Sequence, residues 1–128
     1  MQIFLNTLFV GFGGFLGSIF RYGIGVFIKT FSKTNQFPFA TFVVNIVGCL
    51  LIGFFVGLGE RLQLFSPTIR LFLFVGFLGG FTTFSAFGLE TISLLQSSKP
   101  LLMWMNIFAN VLFGLGAVAW GLALSKQI

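Results

Sequence analysis

The stretch Gly76-Phe77-Leu78-Gly79-Gly80-Phe81-Thr82-Thr83-Phe84-Ser85-Ala86-Phe87 places three glycines, two threonines and a serine inside a long apolar segment. A membrane helix gains nothing from such a run unless its backbone bends, breaks or exposes polar groups there. Non-helical backbone at membrane depth is tolerated only where protein buries it or where it lines a cavity. The stretch therefore predicts a third transmembrane helix that breaks at its centre, after Leu78, with a second half-helix starting near Thr83.

The surrounding chain is a membrane protein by composition. It has 128 residues, 57% hydrophobic and 7% charged, with a mean hydropathy of +1.08. Soluble domains carry roughly 25% charged residues, so an ordinary globular fold is excluded. Apolar runs predict four spans, at about 3–28, 39–59, 68–95 (broken near 79–82) and 101–124, in one domain covering 1–128. The first run begins without a basic leader and extends about 25 residues, longer than a signal-peptide core, so it is expected to remain in the mature protein. Its glycines at 11, 13, 14 and 17 suit close helix contact.

Enzymatic chemistry has little to work with. There is one cysteine, Cys49, and no histidine; the two acids, Glu60 and Glu90, stand 30 residues apart. That excludes a Cys/His zinc site, an intrachain disulfide, a catalytic triad and a nearby carboxylate pair. The net charge of +5 is spread over seven basic residues, mostly at span ends. This reads as membrane-flanking charge rather than a nucleic-acid surface.

Polar residues inside the spans are the functional candidates. Arg21 lies within the first span and reads either as a side chain snorkelling to the headgroups or as a cation facing a watery vestibule. Asn45 in the second span would bond across a helix interface or donate its amide to an anion. In the third span, Phe84, Phe87 and Glu90 fall at i, i+3 and i+6, with Thr83, Ser85 and Thr91 nearby. Asn106 and Asn110 share one face of the fourth span.

Charge sets a further expectation. Four spans put both termini and the second connection on one side, with Arg61, Arg70 and Lys126; the other side has Lys29, Lys33 and Lys99. This even split gives no orientation under the positive-inside rule. With Arg21 set aside as intramembrane, an even count reads either as the noise of a small chain or, more sharply, as dual topology, with chains inserted both ways and paired antiparallel.

These residues carry a resemblance. Gly79-Gly80-Phe81-Thr82-Thr83-Phe84-Ser85-Ala86-Phe87 resembles the G-G-x-T-T-F-S-T-F signature of the Fluc fluoride channels, also called CrcB proteins, with Ala86 in place of a common threonine. Gly13-Gly14, Gly17 and Arg21-Tyr22 resemble the family's first-helix motif, and Asn45 to Gly48 its second-helix N-x-x-G. The likeness covers essentially the whole chain.

The resemblance implies an all-α membrane protein that forms an antiparallel dual-topology homodimer in a bacterial plasma (inner) membrane, in contact with lipid and without a nucleic-acid partner. It implies fluoride export through two pores and a structural sodium ion (Na+) on the two-fold axis, held by the Gly79 and Thr82 carbonyls of each subunit. Phe84, Phe87, Asn45, Ser85, Thr83, Glu90, Arg21 and Asn110 would serve the fluoride pore. Many relatives carry a tyrosine at the position of Asn106 and a serine at that of Asn110, so the fourth helix departs from the family pattern. The alternative is a small four-helix secondary transporter (a drug/proton or ion antiporter); such proteins use a first-helix glutamate, where this chain has Arg21.

Overall fold

The computed structural model describes residues 1–32 and 36–128; Lys33, used in the charge count, lies outside them. The described residues form helices and no strand. Helix α1 is Gln2–Phe31 and α2 is Phe39–Leu62. Helix α3 covers 67–81, α4 is Phe84–Gln96 and α5 is Pro100–Ser125. Together α3 and α4 make the third crossing, so four helical segments are long and apolar enough to span a membrane.

Local chemistry sets the ends. The Pro38 carbonyl accepts the first α2 bond, from Phe42 N–H at 3.1 Å. Ser66 caps α3, its Oγ accepting from Ile69 N–H at 3.3 Å, and Pro67 follows at the first helical position. Pro100 opens α5 in the same way. The turn before it passes through Ser98 at φ 56°, with Lys99 N–H bonded to the Leu94 carbonyl at 3.0 Å.

The glycines of the third span do something other than expected. Helix α3 widens into π turns over Leu71–Leu78 but does not stop there. Gly79 is helical at φ −64° and ψ −38°, and the helix continues to Phe81. The first half runs three residues beyond Leu78, so the break lies at Thr82 and Thr83, at the far edge of the expected 79–82, and the second half starts at Phe84, one residue from the expected Thr83. Gly76 and Gly80 instead permit backbone contact with α1. A Cβ on Gly76 would stand 2.7 Å from the Val10 carbonyl oxygen, and one on Gly80 2.6 Å from that of Gly14. From the α1 side, Gly13 and Gly17 face the carbonyls of Phe72 and Phe77. Small residues let membrane helices approach this closely, where packing rather than hydrophobic expulsion drives association.

A second seam joins α2 to α5 through Gly53 and Gly121, where a Cβ on Gly121 would sit 2.6 Å from Phe54 N. The core is small: Val44, Leu78 and Phe81 are its most buried apolar side chains, accompanied by buried Asn106 and Ser125. Most other large apolar residues face outward, as lipid contact or a second subunit would require.

Candidate functional site: the clamped break and its cavities

The break is built from hydrogen bonds. Thr82 stays tied to the preceding helix: its N–H and Oγ1 both donate to the Leu78 carbonyl, at 3.0 and 2.9 Å. Thr82 and Thr83 then adopt extended backbone, with ψ of 159° and 116°. Asn45 of α2 grips Thr83 from both sides. Its Oδ1 accepts from Thr83 N–H at 2.8 Å, and its Nδ2 donates to the Thr83 carbonyl at 3.1 Å. Thr83 Oγ1 in turn accepts from Ala86 N–H at 3.1 Å and caps α4.

This arrangement redirects two donors. In an uninterrupted helix, Thr83 N–H would bond the Gly79 carbonyl and Ala86 N–H the Thr82 carbonyl. Here one goes to Asn45 and the other to the Thr83 hydroxyl. Gly79 and Thr82 thus each keep a carbonyl without its usual helical donor. Carbonyl oxygens are hard ligands, so this pair fits a hard monovalent cation in chemical type.

Three neighbouring cavities share lining residues. The first, of about 380 Å³, adjoins the break and is lined by Asn45, Gly79, Thr82, Phe84, Phe87 and Asn110 among others. Thr83 lines it too, and also lines a second cavity of about 240 Å³ with Arg21, Lys29, Thr41 and Glu90. Lys29 and Glu90 recur in a third, of about 560 Å³, which adds Ser93, Ser97 and Lys99. The cavities thus lie in sequence from the lysine-bearing end to the break.

Most of the candidates read from the sequence meet here. Phe84 and Phe87 form a tilted ring pair with centroids 5.4 Å apart, and Phe84 is 83% exposed. Ser85 is exposed, with its Oγ 3.2 Å from Thr83 Oγ1; it is not among the residues lining the three cavities. Arg21 lines the second cavity together with Glu90. Glu90 Oε1 accepts from Thr41 Oγ1 at 2.7 Å, while Oε2 is buried with no partner among the described residues.

Thr41 escaped the sequence reading. Its signal was its position four residues before Asn45, on the same face of α2. Asn106 is likewise more central than expected. It is 1% exposed, and its Nδ2 donates to Thr91 Oγ1 at 2.9 Å. Thr91 Oγ1 donates to the Phe87 carbonyl at 2.7 Å. Asn110 Nδ2 bonds both the backbone carbonyl and Oδ1 of Asn106, each at 2.9 Å.

The sequence is similar to known proteins over nearly its whole length. The family described as "CrcB-like protein, Camphor Resistance (CrcB)" matches residues 8–122. The Fluoride-specific ion channel FluC of Flavobacterium psychrophilum is 45% identical over 125 residues, covering 97% of this chain and 100% of that protein. Fluoride-specific ion channel FluC 1 of Methanosarcina acetivorans is 45% identical over 116 residues, 91% of this chain and 87% of the relative. The Fluoride-specific ion channel FluC of Ruminiclostridium cellulolyticum is 41% identical over 128 residues, 100% of this chain and 98% of that protein. Similarity of this extent, on a chain that folds into four apolar crossings, means that the protein belongs to the CrcB-like family.

Proposed function

We propose that this chain is a subunit of a fluoride-selective channel that lets fluoride leave the cell down its electrochemical gradient. The observation that carries the reading is the series of neighbouring cavities ending at Phe84 and Phe87, in a chain that matches fluoride-specific channels over nearly its whole length.

Fluoride is small and strongly hydrated, so a pore must replace water with donors. Arg21 and Lys29 would raise the local anion concentration on the approach. The Thr83 and Ser85 hydroxyls and the second N–H of the Asn45 amide are donors within one turn of the break. Phe84 and Phe87 would offer their positive ring edges while keeping the lining apolar. Glu90, bonded to Thr41, would lie beside this route.

In this reading the functional unit is an antiparallel homodimer with two pores in a bacterial inner membrane. The largely exposed Phe84 and the even split of charge between the two sides support a second, inverted copy. A structural sodium would be held by the Gly79 and Thr82 carbonyls of both subunits. When bound, it supplies positive charge beside an anion route.

The test is efflux from liposomes containing the purified protein, measured with a fluoride electrode and with chloride as control. Fluoride loss without chloride loss is expected. No fluoride efflux, or equal efflux of both ions, would refute the reading.

A further inference from the structure

A chain of hydrogen bonds runs from α5 to α4, and the backbone carbonyls it meets fix its direction. The Phe87 carbonyl can only accept, so Thr91 must give it the hydroxyl proton. The Thr91 oxygen then accepts, so Asn106 must present Nδ2 to it. That leaves Asn106 Oδ1 facing Asn110, which must present its own Nδ2. The second Asn110 N–H goes to the Asn106 backbone carbonyl. Both amide hydrogens of Asn110 are therefore taken up, and its Oδ1 remains as a buried acceptor with no partner among the described residues. Asn110 lines the cavity that holds Phe84 and Phe87.

An anion needs donors, and this arrangement withholds the two of Asn110. We propose that Asn106 and Thr91 are positioning residues that lock the Asn110 amide in its non-donating orientation, and so weaken binding of a small hard anion in the phenylalanine cavity. The inference rests on the fluoride-channel reading. It assigns the fourth helix a restraining role in place of a ligating one.

The lock can be opened at two independent points. Asn106→Leu removes the acceptor that holds one Asn110 N–H. Thr91→Val removes the hydroxyl that dictates the Asn106 orientation, so the Asn106 amide can turn its Oδ1 away and release one Asn110 N–H. Each variant should lower the fluoride concentration that half-saturates efflux by about tenfold, the lower range for one hydrogen bond to a charged partner. Thr91→Ser keeps the hydroxyl and should keep the parent value. Adding Asn110→Ala to Asn106→Leu should abolish the gain, because the released amide is gone.

A purely structural role predicts loss rather than tighter binding. Unchanged or raised half-saturation in folded Asn106→Leu and Thr91→Val would overturn the proposal, whereas a parent protein that passes no fluoride would instead refute the channel reading. The parent also offers a direct measurement that needs no variant. With ¹⁵N-labelled asparagine and saturating fluoride, the Asn110 side-chain amide should show no scalar coupling to ¹⁹F; a resolved coupling, the mark of an N–H to fluoride hydrogen bond, would overturn the proposal.

Discussion

The two halves of the third crossing are held in opposite ways. Helix α3 lies against α1 through glycine-to-backbone contact, with Gly76 and Gly80 set against Val10 and Gly14. This is non-directional packing, in which shape alone fixes the position. Helix α4 is tied by side-chain hydrogen bonds at three points: Asn45 on Thr83, Thr41 on Glu90 and Asn106 on Thr91. Such bonds fix orientation as well as position. Phe84 and Phe87 lie on the half whose orientation is specified. The glycine seam supplies a rigid wall, and the polar ties aim the side chains.

The largest effect should come from filling the seam. Gly80→Leu would put a side chain where a Cβ alone meets the Gly14 carbonyl oxygen at 2.6 Å. Neither backbone can retreat without parting the helices, and overpacking of even ordinary cores costs about 1–3 kcal/mol. No folded protein should be recovered from membranes. Normal yield and thermal stability would show that α1 and α3 are not fixed by this contact.

Breaking the clamp should be less severe. Asn45→Leu leaves the Thr83 N–H and carbonyl without their partners. A buried unsatisfied group costs about 1–3 kcal/mol, so roughly 2–6 kcal/mol should be lost in denaturant or thermal unfolding. A loss under about 1 kcal/mol would mean that the break holds its shape without Asn45. Thr41→Val removes one bond, to Glu90, and should cost about 1 kcal/mol in the same assay. Thr41→Ser keeps the hydroxyl and should keep most of the stability; loss in Thr41→Ser with none in Thr41→Val, which keeps the methyl, would point to packing by the threonine methyl instead.

The four crossings were legible because apolar runs of this length have few alternatives, and Pro67 and Pro100 mark helix starts. The end of the first half of the third crossing was not. Glycine serves both as a bend and as a point of close approach, and sequence does not distinguish them. The seam used Gly76 and Gly80 for approach, so the chain bends only at the two threonines that follow. The partner of Asn45 is 38 residues away on another helix, beyond the reach of local pattern. The shared face of Asn106 and Asn110 followed from their spacing. The direction of their hydrogen bonds did not, because it depends on Thr91 and the Phe87 carbonyl across a helix interface.

If α4 carries the anion, its two rings are the place to test it. The measurement is fluoride efflux from liposomes reconstituted with Phe84→Ile/Phe87→Ile, beside the parent, with elution volume and helical content checked for both. The account predicts a folded variant whose fluoride efflux falls to that of protein-free vesicles. Efflux at the parent rate would contradict it and reduce both phenylalanines to packing residues.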